Sequence, residues 1–279
     1  MTIGYIGYGA VGRAYHWALS MHSALINDPS MGKSASYREM ADKCRFIVVA
    51  VPTPSHDETR AFDPTIINGV IAGLHESKGK RHPIIIVKSA VLPTTVKEWQ
   101  SLYANPRLVI SPEYLTNRDE PPMFCGKVDW HIFGCCSDDV YLDCRHLIEQ
   151  SRFKQPARYA CVSQVGAALL KYMENSIFAL KVTFMNEYYD LASALGLRDE
   201  WPPLMEAFHL DRRVGTEHYE VPGPDGKRGW GGKCFPKDIN AIIGMAKGMG
   251  MELQLLDLAR ELNYRWRDDV DLRFRRIGR

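Results

Sequence analysis

Short apolar runs recur through the first half of the chain, at residues 3–6, 24–26, 46–51, 84–87, 108–110 and 131–133. Each is strand-length, and helical stretches separate them. Strands alternating with helices predict a mostly parallel sheet with helices packed on both faces. Residues 28–44 are too few for a full helix–strand–helix passage, so only a clipped third strand near 34–36 and a helix over 38–43 are expected. After residue 154 the period changes. Residues 162–195 carry apolar side chains at three- and four-residue spacing (Leu169, Met173, Ile177, Leu180, Phe184), contain little to break a helix beyond Gly166, and stop at Gly196. That pattern predicts one long helix. Residues 211–233 are polar, glycine-rich and aperiodic, which predicts a loop. Pro236 then stands in the first turn of a helix running to about Gly248, and a last helix is expected over 252–276. The expected architecture is α/β, a doubly wound parallel sheet over residues 1–154 followed by an all-helical domain over 155–279.

Composition narrows the partners. A hydrophobic fraction of 46% with 10% aromatics is that of a packed globular chain. The net charge of +2, spread over 35 basic and 33 acidic residues, provides no field that would draw the whole chain to nucleic acid or an anionic membrane. No apolar run approaches the roughly 20 residues that cross a bilayer, and the first residues lack a basic-then-apolar signal pattern. A cytoplasmic protein is expected, with no nucleic-acid or membrane partner. Seven cysteines without a C-x-x-C pair read as reduced thiols rather than a metal site.

Gly7, Gly9 and Gly12 form G-x-G-x-x-G between the first strand and the first helix. In that context the glycines permit a tight turn and let backbone N–H groups approach a pyrophosphate, the fingerprint of a Rossmann dinucleotide site. Asp28, about 20 residues on, is placed to bond ribose hydroxyls and to repel a 2′-phosphate, which favours NAD; a plain Asn27-Asp28-Pro29 turn is the competing reading. Val51-Pro52-Thr53-Pro54 and Lys88-Ser89-Ala90-Val91 end two strands, so Pro52, Thr53 and Ser89 are candidates for the cofactor cleft, against a role in strand termination alone. The segment Gly229-Trp230-Gly231-Gly232-Lys233-Cys234-Phe235-Pro236-Lys237-Asp238 carries the most chemistry. Cys234 precedes a helix and is flanked by lysines, and helix dipoles and cations both favour a thiolate. The glycines leave backbone N–H groups that could meet an oxyanion or a substrate. A buried structural cysteine is the alternative. Lys171 and Asn175 share a helix face, which by itself is what any solvated helix shows.

In order along the chain, Gly7–Gly12, residues 51–54, 88–91, Ser111-Pro112-Glu113-Tyr114-Leu115, Lys171-Tyr172-Met173-Glu174-Asn175, Asn186-Glu187, residues 211–215 and 229–238 resemble the UDP-glucose/GDP-mannose dehydrogenase family. The last segment, G-W-G-G-K-C-F-P-K-D, is the most specific. The resemblance implies oxidation of a sugar primary alcohol to a carboxylate, with two NAD consumed, a thioester on Cys234, and UDP-glucose as the default substrate. It implies that Lys171 stabilises alkoxide and oxyanion charge, that Asn175 and Asp238 order substrate and water, that Glu113 assists proton transfer, and that Arg213 contacts substrate. It also implies a homodimer, for which Phe178, Phe184, Tyr188 and Trp266 supply apolar surface.

Three departures stand out. Ala90 replaces the usual threonine of K-S-T-V, and Asn117 replaces a second glutamate; both positions are associated with water and proton handling. The chain also stops at Arg279, where the family continues into an α/β domain that grips the nucleotide. The expectation is a short form in which Gly231, with Lys227 and Arg228 of the neighbouring loop, meets the substrate. Two rival readings remain open: a two-domain β-hydroxyacid or 6-phosphogluconate-type dehydrogenase, and a non-catalytic NAD-binding subunit.

Overall fold

The computed structural model describes residues 1–32, 34–55, 61–77, 79–114, 128–232, 234–267 and 269. The chain divides into two compact units, residues 1–56 with 62–171 and residues 57–61 with 172–279.

In the first unit the apolar runs become strands because β-branched side chains suit an extended backbone that is covered on both faces. Thr2–Ile6 (β1), Phe46–Val49 (β3) and Ile84–Val87 (β4) are buried almost throughout. With Ser23–Asn27 (β2), Leu108–Ile110 (β5), Trp130–Gly134 (β6) and Arg158–Val162 (β7) they form a sheet in the order β2-β1-β3-β4-β5-β6-β7. Neighbours run parallel except β5 and β6, which meet antiparallel at Ile110 and Gly134. From β1 the chain passes to β2 on one side and then to β3 on the other. That reversal is the topological switch point where such sheets hold ligands, outside the carboxyl ends of their strands.

Helices Ala10–Ala18 (α1), Tyr37–Lys43 (α2), Thr65–Glu76 (α3), Pro93–Tyr103 (α4) and Asp138–Glu149 (α5) connect the strands. Ile3, Tyr5, Phe46, Val48, Ile84 and Ile86 pack beneath Ala14 and Leu19 near α1 and Leu147 and Ile148 of α5. Each such aliphatic or aromatic side chain contributes roughly 1.5–3 kcal/mol through removal from water.

The long helix Gln164–Ala194 (α6) begins in the first unit, where Gln164 donates to the Leu108 carbonyl and accepts from Gln100 at 2.7 Å. The second unit adds Trp201–Phe208 (α7), Phe235–Gly248 (α8) and Gln254–Asn263 (α9). Its core gathers Met185, Ala192, Trp201, Tyr219 and Val221. No described helix is long and apolar enough to cross a membrane.

The structure departs from the pattern reading in several places. The unit boundary falls at 171/172, inside α6, rather than at 154/155, because β7 and the first turns of α6 belong with the sheet. Residues 34–36 form no strand; Ala35 only donates to the Ile26 carbonyl and accepts from Asn27. α7 was not anticipated, although Pro202 and Pro203 in its first turn are a start signal. The last helix ends at Asn263 and gives way to a turn over 264–266, while 268 and 270–276 lie outside the described residues.

Candidate active site

The turn between β1 and α1 shows why its glycines are glycines. Gly7 has φ +84°, and a Cβ there would sit 2.5 Å from the Ala50 carbonyl oxygen; a Cβ on Gly12 would sit 2.1 Å from the Gly7 oxygen. Gly9 faces open space and begins α1 without a side-chain cap. Two glycines therefore shape the turn, and the third leaves a helix N-terminus open to an anion. Asp28 follows β2 directly. Its Oδ2 accepts from the Tyr8 N–H at 2.6 Å, and its Oδ1 accepts from the Ser30 N–H and hydroxyl at 2.8 and 2.6 Å. The Ser30 hydroxyl above all, then the two N–H groups, hold its carboxyl below the usual carboxylate range. Asp28 closes its own turn, as the competing reading had it, and its carboxylate stands beside the glycine turn through the Tyr8 N–H. At the carboxyl ends of β3 and β4, Thr53 is buried, Pro52 is exposed, and the Ser89 hydroxyl donates to the Val51 carbonyl at 2.7 Å. These residues fit a dinucleotide.

Further along the same sheet edge, Lys88 is buried. Its ammonium lies 3.2 Å from Ser111 Oγ, 3.3 Å from the Pro112 carbonyl oxygen, 3.7 Å from Glu113 Oε2 and 4.6 Å from the Tyr15 ring centroid. Burial pushes it down to about 8, against the opposing pull of Glu113. Glu113 Oε1 accepts from the Tyr114 N–H at 2.7 Å, and the Lys171 ammonium sits 4.8 Å over the Tyr114 ring. Sequence reasoning placed Lys88 only within a strand-end segment and did not identify it as the cation facing Glu113.

In the second unit Cys234 is exposed and occupies the N-cap position of α8. One turn on, the Asp238 carboxylate is 2% exposed, accepts from Asn175 Nδ2 at 2.6 Å, and pairs with Lys237 Nζ at 2.5 Å. Asn175 and Asp238 are thus brought together, and the Lys237 cation, which the sequence assigned to the thiol, is directed at Asp238. Lys233 lies outside the described residues, as does Asn117. The buried Tyr172 phenol is pushed well above its usual value by burial and by the Asp238 charge.

The polar loop is anchored. Arg228 reaches Asn186 Oδ1 at 3.1 Å, the Asn186 carbonyl at 2.9 Å and Asp190 at 2.6 Å, and lies over the Tyr189 and Trp266 rings. Lys227 pairs with Asp269 at 3.0 Å. The glycines were read as leaving backbone N–H groups open; that of Gly229 is instead taken, donating to Asn186 at 3.2 Å, and the neighbouring Trp230 N–H donates to Asn263 at 2.7 Å. A Cβ on Gly231 would lie 1.5 Å from Arg267 Nη2, so this glycine admits a buried guanidinium that pairs with Asp225 and Asp269. Arg213 is exposed beside Asp211 in a 3₁₀ turn, Arg212–Val214. Arg267 and Asn263 gave no sequence signal, because nothing local marks an arginine as buried. Among the described residues no group of three His, Cys, Asp or Glu side chains could hold a metal ion.

Residues 166–265 match the model of the UDP-glucose/GDP-mannose dehydrogenase family, central domain. A UDP-glucose 6-dehydrogenase of Rickettsia bellii is 37% identical over 228 residues, 79% of this chain and 49% of the relative. The UDP-glucose 6-dehydrogenase AglM of Haloferax volcanii is 26% identical, over 77% of this chain and 51% of its own length. Among solved structures, a UDP-glucose dehydrogenase from Pyrobaculum islandicum superposes with a TM-score of 0.79 at 21% identity, covering 95% of this chain and 68% of that one. A 3-hydroxyisobutyrate dehydrogenase from Mycobacterium tuberculosis shares the fold with a TM-score of 0.73 at 15% identity, covering 98% and 96%. The chain is thus similar to the UDP-glucose/GDP-mannose dehydrogenases, and its residues 166–265 match the central domain of that family. It spans about half the length of the curated relatives it matches.

Proposed function

We propose that this chain oxidises the primary alcohol of a nucleotide sugar, with UDP-glucose as the first candidate, to the carboxylate, using NAD in a cytoplasmic setting. The observation that carries the reading is Cys234, an exposed thiol at the N-cap of α8, one turn before a buried Asp238 held between Asn175 and Lys237. A buried carboxylate is costly unless paired, and here it is held by an amide and an ammonium beside an exposed thiol.

Taking –CH2OH to –COO⁻ adds one water and releases two hydrides and three protons. Bound NAD supplies the acceptor for the hydrides. After the first oxidation the Cys234 sulfur adds to the aldehyde carbon; once the second hydride has left, that carbon is a thioester, which water cleaves to the acid and the free thiol. Asp238 and Asn175 orient the water and the substrate oxygen. Lys171 offsets negative charge on that oxygen, and Glu113 exchanges its proton. Arg213 is the candidate phosphate contact. The anchored Arg228, with Lys227 and Gly231, shapes the loop that precedes Cys234. The exposed apolar residues along α6 support a homodimer.

The test is stoichiometric. Two NADH per molecule of UDP-glucose, with glucuronate chemistry in the product, is the expected result. One NADH per substrate would favour the single-oxidation reading, which the nearly complete superposition on a 3-hydroxyisobutyrate dehydrogenase makes the specific alternative. None, with NAD still bound, would leave a binding subunit.

A further inference from the structure

Lys88 lines a cavity of about 10 Å³ with the apolar Leu19, Val48, Ile86 and Phe133 and the polar Ser111 and His131, mostly apolar surroundings for a cation. Its ammonium instead touches three successive residues after β5: the Ser111 hydroxyl, the Pro112 carbonyl and the Glu113 carboxylate. The backbone there is already tied without it, since the Ser111 N–H donates to the Val87 carbonyl at 2.9 Å and the Glu113 N–H to the Lys88 carbonyl at 3.2 Å. Beyond its hydrogen bonds to the Ser111 hydroxyl and the Pro112 carbonyl, the ammonium places its charge 3.7 Å from Glu113 Oε2, a buried oxygen with no hydrogen-bond donor among the described residues. Oε1 is held from one side by the Tyr114 N–H, and Oε2 faces Lys88 from the other. The remaining titratable groups that act on Lys88 or are acted on by it are Lys171, Cys144 and His131. Replacing both members of a buried ion pair with apolar packing is commonly neutral or stabilising, so stability alone does not account for the presence of the pair.

We propose that Lys88 is a positioning residue for the oxidation: its ammonium fixes the Glu113 carboxylate at the carboxyl edge of the sheet, and its effect on turnover passes through Glu113. This rests on the reading of the chain as a nucleotide-sugar dehydrogenase in which Glu113 exchanges protons with the substrate.

The test uses the full chain as wild type, Lys88→Met, Glu113→Gln and the double variant, with NADH formation from UDP-glucose and urea unfolding as readouts. Lys88→Met leaves the Glu113 carboxylate without its cation and should lower the unfolding midpoint, yet leave both KM values within about twofold and lower kcat at least about tenfold. In the Glu113→Gln background the same substitution should change kcat by less than about twofold, since residues acting as one unit are not additive. If methionine prevents folding, Lys88→Gln, which keeps a donor without the charge, is expected to give the same kinetic pattern. An undiminished kcat in Lys88→Met, or the full tenfold loss repeated in the Glu113→Gln background, overturns the role while the dehydrogenase reading stands. A wild-type chain that forms no NADH from any nucleotide sugar overturns both.

Discussion

His131 shows how a single buried side chain sets a property of the whole sheet. Its imidazole is enclosed beside Phe133, Phe153 and Tyr159, and burial first, then the Lys88 charge, push it down to about 3 from 6.5. Between those values the unfolded chain binds a proton that the native chain refuses. The contribution is whole above about pH 6.5 and declines as pH falls toward 3, by about 2 kcal/mol at pH 5. Urea midpoints at pH 7 and pH 5 should therefore diverge in the wild type and draw together in His131→Phe; an equal divergence in both would remove His131 as the cause. Cys234→Ser makes a separate prediction: NAD binding survives and acid formation falls by at least about 1,000-fold, because a hydroxyl is a far weaker nucleophile than a thiol. Undiminished glucuronate in that variant would end the thioester proposal. Gly7, Gly12 and Asp28 were readable because their chemistry is local. The buried cations Lys88 and Arg267 were not, since an isolated lysine or arginine reads as solvated until the fold encloses it.

Among the elements, strands rich in isoleucine and valine announced themselves, because both of their faces are covered. Arg158–Val162 did not: its residues are exposed or half-buried, as suits the sheet edge, so no apolar run marks it. The long helix was legible from its period, and Asn175 on it was proposed from a motif, but its bond to Asp238 on α8 required the fold. At the end of β2, Asp28 predicts cofactor choice. The wild type should favour NAD over NADP in kcat/KM, and Asp28→Ala should narrow that preference, because a carboxylate accepts ribose hydroxyls and opposes a 2′-phosphate. A preference for NADP in the wild type would show that the carboxylate serves only its own turn with Ser30.

At the scale of the molecule, the exposed apolar side chains of α6 are the feature most in need of a partner. Met173, Ile177, Phe184, Tyr188 and Leu191 are all about half exposed along the helix, a density that a lone soluble helix seldom shows. Phe178 and Trp266, expected in the same surface, are instead occupied within the second unit, Phe178 stacked on His218 and Trp266 donating to Asp190. A homodimer formed through α6 should sediment as a single species at micromolar concentration, and Phe184→Glu with Tyr188→Glu should shift it to monomer. A wild-type monomer under those conditions would rule the interface out.

The missing side chain of Gly231 has a consequence for how the loop fails. Arg267 fills the space where a Cβ would stand, and through Asp225 and Asp269 it holds both the start of the loop and the chain beyond α9. Adding one methyl group at 231 would eject a guanidinium that is 2% exposed and strand its two carboxylates together, so the segment should come loose as a unit rather than loosen by degrees. Trypsin reads that event directly, since Lys227 and Arg228 are its preferred residues and are tethered by Asp269, Asn186 and Asp190 in the intact fold. In Gly231→Ala, cleavage at this pair should be fast, whereas in the wild type the same pair should resist trypsin.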